Sequence, residues 1–578
     1  MELLNKLAPI LVVIFLASCA DLDELLINPN GVTPDRADPA SVYNSIQIEF
    51  NDFQNDPYFF TAGLARMDAE TGGFTYTASH PPTEFDDMWE DFYAQFLPDA
   101  DNYLDLVEGQ LGTEASVASV KIMKAYGYTQ FVDLFNDIPL LEAGQGAAPE
   151  SNINPNRTAG AEVYAIANAL LDEALADLEG ARNFSATDDP FDNFYGGRAA
   201  DWAALARTLK LRNAITTRLV GGASNFADLV AAGDIIDENS ENFEYHYGNN
   251  RVNPDNRHPF YADSYEAEDG AYQSNWYMWL LAESKGNITD PRVRYYFYRQ
   301  DRDIYPIAVE DDPNAFDCIF TSIPNPNTIP PQYEAVSEKM PYCLGSYSKG
   351  YFGRDHLNGS GVPPDGQYRT VFGLYPAGGL YDDGISKPIR VSNAGRDGAR
   401  GAGIEPIWQA SFTHFILAEA ALTGHYSEGN ARDLLAAGIQ LSFDRVTAFE
   451  DLVDGDKVLS TQPITVTVED TYVGDSLQTQ YINYVLREFD NAEERGKLGI
   501  VAREYMIALF GNGLEAYNLY RRTCLPGNLQ PAIDPNPGPF IRSALYPSVH
   551  VNRNINATQK SSFTEPVFWD TNEAGCTY

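Results

Sequence analysis

Apolar residues recur at three- and four-residue steps along most of the chain from about Ser41 onward. Between Ala115 and Phe135 they fall at Val117, Val120, Met123, Tyr126, Phe131 and Leu134, which predicts a helix with a buried stripe. A break at Asp137-Ile138-Pro139 and a Gly/Pro/Asn loop over 144–157 follow. A second helix is predicted over Ala161–Leu178, with Val163, Ile166, Leu170, Leu171, Ala174 and Leu178 on one face, and a third over Asp201–Val220. Successive long helices separated by turns suggest stacked αα-hairpins. The stretch 245–400 differs. It is dense in Tyr, Trp, Gly, Pro and Asn, and only Trp276–Ala282 and Pro291–Phe297 keep a helical period. Long irregular segments inside compact proteins are usually functional. Periodicity resumes at Pro406–Leu422, Glu428–Phe443 and Gln478–Phe510, and the tail 523–578 is rich in loops. The fold class read from this pattern is all-α: a helical scaffold with an irregular, aromatic-rich insertion.

Length alone would allow several domains, but helical-repeat proteins grow as one continuous body. Of 578 residues, 44% are hydrophobic, and 35 Tyr, 31 Phe and 6 Trp rule out wholesale disorder. Lys and Arg number 39 against 82 Asp and Glu, a net charge of −43. Such a surface excludes nucleic acid as a partner and repels an anionic membrane.

The first 20 residues change the picture. Lys6 precedes an apolar run of eleven residues, Leu7–Ala17, broken only by Pro9. Eleven is too short to span a bilayer and fits the core of a signal peptide. The run ends in Leu16-Ala17-Ser18-Cys19, which resembles a bacterial lipobox. That resemblance implies cleavage after residue 18 and acylation of Cys19, with palmitate among the lipids carried. Residues 19–40 then form a polar, acidic tether, and 41–578 a single domain, anchored to the membrane by lipid alone. The acids in Ala20-Asp21-Leu22-Asp23-Glu24 resemble the export signal of surface lipoproteins of Bacteroidetes. Cys318, Cys343, Cys524 and Cys576 remain for an oxidising compartment, with three possible connectivities. The sequence-local pairs Cys318–Cys343 and Cys524–Cys576 are preferred. A four-Cys metal site would lack the usual C-x₂₋₄-C spacing.

Searches for chemistry return little. No P-loop, H-E-x-x-H or G-x-S-x-G occurs, and Ser346-Tyr347-Ser348-Lys349 lies among glycines without the companions of a serine acylase. The seven histidines show no ligand spacing. With 82 acids, carboxylate pairs always exist, and none stands out. The loop Glu310–Asp317 could hold a structural calcium ion, but it departs from the EF-hand pattern and reads more simply as a solvated loop. No other cofactor is expected.

Several stretches together resemble the SusD/RagB family of Bacteroidetes surface lipoproteins, in particular its SusD-like second branch. Met88-Trp89-Glu90-Asp91-Phe92-Tyr93 through Leu97-Pro98 resembles its W-x-x-x-Y helix. Lys124-Ala125-Tyr126, leading to Leu134-Phe135-Asn136-Asp137-Ile138-Pro139-Leu140 and Glu142-Ala143, resembles its K-A-Y…D-L-F-G-D-I-P-Y-S-E-A run, with Asn136 in the Gly position. Trp202 with Thr208 and Lys210-Leu211-Arg212, and Phe415–Ala420, match later helices. Glu504–Gly511, Glu515-Ala516-Tyr517-Asn518 and Arg521-Arg522 resemble the closing motif, with Tyr517 and Tyr520 where Trp is common.

The resemblance implies four TPR-like helical pairs, on which Ala125/Tyr126 and Ala169/Leu170 would stack small against bulky residues, and a loop-rich ligand-binding half. It implies a non-enzymatic protein at the outer membrane and cell surface, a lid that captures nutrients for a SusC-like TonB-dependent transporter. Oligosaccharides are the first expectation for the ligand; peptides are the alternative, and a surface hydrolase the more distant one. Binding regions carried over from the family are 66–93, 265–298 and 369–381. Within them Trp276 and Trp279, with Tyr272 and Tyr277, could offer a stacking platform beside Gln273, Ser274 and Asn275. Trp89 and Tyr381 add aromatic groups, and Arg66 or Arg369 a charged donor. The same Trp pair could equally be core.

Overall fold

The computed structural model describes residues 37–144, 152–184, 191–267, 272–286, 288–300, 329–342, 350–359, 369–384, 388–389, 398–452 and 477–573. Its main helices are α1 Pro39–Asn55, α2 Tyr58–Leu64, α3 Asp86–Glu90, α4 Leu97–Leu106, α5 Glu114–Phe135, α6 Gly160–Leu178 and α7 Ala199–Thr216. There follow α8 Asn275–Ala282, α9 Ala410–Leu422, α10 Ala431–Thr447, α11 Leu477–Asn491, α12 Glu494–Ala508, α13 Gly513–Thr523 and α14 Ser548–Arg553. Caps explain several starts. Asp38 accepts from Ser41 N before Pro39 at the first helical position, and Asn430 accepts from Arg432 N and Asp433 N ahead of α10.

Helices pack in succession, α5 along α6, α6 along α7, α9 along α10 and α11 along α12; α7 meets α9, and α13 returns against α2. These are the stacked pairs that the periodicity predicts. Three local readings change. The helical stretch read over Gln478–Phe510 is two helices, because the chain turns at Ala492-Glu493 between α11 and α12. Residues Pro406–Trp408, read as the start of a helix, belong to a fully buried strand, Ile404–Trp408. Helix α5 is buried nearly all round, not along one stripe, because α4, α6 and α7 pack on it together.

The described strands form three two-stranded antiparallel ribbons: β1 Ile138–Pro139 with β2 Arg157–Thr158, β3 Phe243–His246 with β6 Ile404–Trp408, and β4 Phe297–Tyr298 with β5 Val371–Phe372. The β3–β6 pair, with Phe243 opposite Trp408, brings the two ends of the irregular stretch side by side.

At the centre, residues of the family motifs form a buried polar network. Arg212 of α7 pairs with Asp133 of α5 and donates from Nε to Glu515 Oε1 of α13 at 2.8 Å. Asp133 also accepts from Asn518 and from the Trp569 indole, each at 2.9 Å. A second pair joins Arg522 and Arg218 to Glu419 of α9 at 2.9 Å each. Asn136 ends α5 at φ 72°, where Gly is the usual solution and Asn is among the tolerated alternatives. Its side-chain oxygen accepts from Phe568 N at 2.6 Å, a tie that glycine could not make.

Candidate functional site

The structure places the expected platform inside the protein. All of α8 is buried: Trp276 and Tyr277 are 0% exposed and Trp279 is 8% exposed. Tyr277 stacks on Phe510 at 5.7 Å and donates to Met506 O at 2.9 Å, so the helix is pinned to the end of α12. The expectation of a ring face open to ligand at Trp276 and Trp279 is therefore corrected: they fill the seam between the loops and the helical body. Arg66 is buried too, spending its guanidinium on Gln530 O, Leu64 O and the Tyr76 hydroxyl. Tyr272 and Arg369 are brought together, with the Arg369 guanidinium 5.7 Å and that of Arg354 4.5 Å from the Tyr272 ring, and all three are buried. Tyr381 is half-buried, edge-on to Tyr295 at 4.8 Å.

Cys524 is disulfide-bonded, in keeping with an oxidising compartment. Cys19, Cys318, Cys343, Cys576 and the loop Glu310–Asp317 lie outside the described residues. Among the described residues no cluster of His, Cys, Asp or Glu has a metal-holding arrangement.

Trp89 differs from the other candidates. It lines an open cleft of about 500 Å³ between α3, the start of α4, the β1 loop and α14. A π-helical turn, Asp91–Phe96, links α3 to α4. The Trp89 ring lies 4.8 Å from Tyr93 and 4.7 Å from His550, forming an aromatic wall. Only 7% of Trp89 is exposed, so it offers an edge. Tyr93 is held by its hydroxyl bond to Pro139 O at 2.8 Å. Pro98, Ile153, Pro155 and Val549 add aliphatic surface.

The polar groups of the cleft are largely spent on one another. Glu90 pairs with Arg553 at 2.8 Å, in a solvent-exposed contact worth little by itself. Hydrogen bonds from Asn156 and Asn152 hold the Glu142 carboxyl below its usual range. Burial, with Arg157 nearby, pushes His550 down to about 4, so its ring is neutral at physiological pH. Its buried Nε2 has no hydrogen-bond partner. The result is a concave, mostly apolar surface on which Glu90 is paired with Arg553 and the Glu142 carboxylate is held by asparagines, suited to binding rather than to proton transfer. The sequence signalled Trp89 through the W-x-x-x-Y motif. His550, Val549 and Arg553 come from a tail that reads only as loop, and nothing local marks them.

Comparison with known proteins places this architecture. A family model described as "Starch-binding associating with outer membrane" (SusD-like) matches residues 32–308, and one described as "Susd and RagB outer membrane lipoprotein" matches residues 404–556. No curated protein matches the sequence. Among solved structures, a chitin-binding protein aligns over 93% of this chain and 100% of its own, with a TM-score of 0.61 and 17% identity. A chitin-binding SusD homolog from Flavobacterium johnsoniae covers 92% of this chain and 99% of its own, at TM-score 0.56 and 18% identity. A SusD homolog from Bacteroides fragilis covers 89% and 94%, at TM-score 0.60 and 16% identity. These likenesses define a TPR-like helical protein of the outer-membrane lipoprotein class. The chain belongs to the SusD/RagB family, and its place is the outer membrane. No helix among the described residues is long and apolar enough to cross a membrane.

Proposed function

We propose that this protein captures oligosaccharides at the cell surface without altering them, in the cleft walled by Trp89, Tyr93 and His550, and hands them to a SusC-like TonB-dependent transporter. The carrying observation is an open, aromatic-edged cleft in which Glu90 is paired with Arg553 and Glu142 is hydrogen-bonded to Asn152 and Asn156. A neutral ligand with apolar ring faces fits such a surface. The chitin-binding relatives favour N-acetylated oligosaccharides as the first ligands to try. Attachment through a lipid on Cys19 agrees with the lipobox and with the family. Cys19→Ala is expected to shift the protein to the soluble fraction, and an unchanged membrane fraction in cells lacking the transporter would remove the anchor from the account.

The test is calorimetric titration with chito-oligosaccharides, malto-oligosaccharides and basic peptides, followed by analysis of the ligand after long incubation. Ile153, 70% exposed at the cleft, tolerates substitution without disturbing the core. Ile153→Arg is expected to weaken oligosaccharide binding at least about tenfold, roughly 1.4 kcal/mol, at an unchanged melting temperature. Unaltered affinity would move the site elsewhere. Preference for basic peptides would favour the peptide reading, and breakdown of the ligand would favour the hydrolase.

A further inference from the structure

Several cations of this acidic chain have no carboxylate within ion-pair distance among the described residues, Arg66, Lys285 and Arg294 among them, and bond to carbonyl oxygens instead. Three others converge behind α14. Arg157 lies 4.2 Å from the Tyr546 ring centroid and donates to Thr558 O at 3.0 Å. Lys560 Nζ lies 5.0 Å from the centroid of the same ring. Arg521, 1% exposed, stands over Tyr517 and Trp569 and donates to Asp133 O, Arg542 O and Asn518 Oδ1. None of the three has a carboxylate within ion-pair distance among the described residues.

Lys560 is half-buried at this junction. Its Nζ donates to Ser543 Oγ at 2.7 Å and to Ala544 O at 2.8 Å. Those two neutral acceptors match the two hydrogens of a neutral amine, whose lone pair would remain unused; the third hydrogen of an ammonium would have only the Tyr546 ring to meet. Burial is the largest influence on this group. The attraction of Glu565 and Asp137 opposes it, the repulsion of Arg521 and Arg157 reinforces it, and the ammonium is pushed down to about 7. The Tyr546 phenol that faces it is raised by burial and stays neutral. Lys121 and Lys210 show the usual alternative, the first 2.8 Å from Asp177 and the second paired with Asp172.

We propose that Lys560 is a covalent modification site, a nucleophilic amine that condenses with aldehydes at neutral pH, the open-chain form of a reducing sugar among them. The Nζ lone pair would attack the carbonyl carbon, and a proton would pass from nitrogen to oxygen to give a carbinolamine. Loss of water then gives the imine. No oxidant or reductant takes part, and the step does not depend on what the cleft binds.

The experiment exposes the whole protein to glyceraldehyde with cyanoborohydride from pH 6 to 10 and follows each lysine by peptide mass spectrometry. At pH 7.5 Lys560 is expected to react at least about tenfold faster than Lys210, because an ordinary lysine with a pKa of ~10.4 is almost wholly protonated there. Its rate is expected to level off above pH 8, while those of Lys121 and Lys210 keep rising. In urea-unfolded protein the preference is expected to vanish. A Lys560 rate equal to that of Lys210, a profile still climbing at pH 10, or a preference that survives unfolding overturns the proposal.

Discussion

His80 shows how much one side chain can be altered by its neighbours. It is 4% exposed, with Nε2 3.1 Å from Glu70 Oε2 and Nδ1 3.0 Å from Glu84 Oε2. Burial opposes the imidazolium, but the nearby carboxylates of Glu70 and Glu84, the second accepting a hydrogen bond from Nδ1, outweigh it, and His80 is raised to about 9. The folded value lies above the ordinary ~6.5, so the added stability is fully present below about pH 6.5 and is lost as pH rises through about 9. Its size is on the order of 3 kcal/mol. His80→Gln is therefore expected to lower the melting temperature markedly at pH 6 and only slightly at pH 10. A gap that stays constant over that range would show that the imidazole is not held charged. The i, i+4 spacing to Glu84 was visible in the sequence, while burial beside Glu70 was not.

At the scale of elements, α8 carries the sharpest lesson. Ser274 caps it by accepting from Tyr277 N, and its whole length is buried. Gly353 runs so close beneath that a Cβ there would meet Gln273 O at 1.9 Å, and this approach lets Arg354 N donate to Gln273 O at 3.0 Å. A three-residue spacing of Trp276 and Trp279 serves a ligand platform and a core seam equally well. What decides is the arrival of Gly353–Asp355 and of Met506–Phe510, distant in sequence. Trp276→Ala is expected to cost about 3–5 kcal/mol, read as a large fall in melting temperature. Oligosaccharide affinity in the fraction that stays folded should match that of the unmutated protein. A stable Trp276→Ala variant with weakened binding would reinstate the platform.

For the molecule as a whole, the Asp133–Arg212–Glu515 network is the joint that holds α5, α7 and α13 in one arrangement. Both carboxylates are buried, and burial without the guanidinium would leave two charges uncompensated. Arg212→Met is expected to cost roughly 3–5 kcal/mol in urea unfolding. Arg212→Lys should recover only part of this, since an ammonium cannot reproduce the planar fork that reaches both acids and Tyr164. Full stability in the lysine variant would reduce the network to a simple charge balance.

Helix positions, the stacked-pair architecture and family membership were legible from residue order, because periodicity, caps and motif spacing act over a few neighbours. Trp89 was legible for the same reason. The break between α11 and α12 falls in the polar stretch 490–497, whose Ala, Glu, Arg and Lys favour a helix on either side, and the five residues of the β6 strand are too few for periodicity to tell a strand from the start of a helix. The cleft was only half legible, since its far wall is α14, more than 450 residues beyond Trp89. Residue order determined which segments are helical and which motifs they carry. Tertiary structure alone decided which aromatic rings meet solvent and which cations go without a carboxylate, because exposure and pairing depend on what packs against a side chain from elsewhere in the chain.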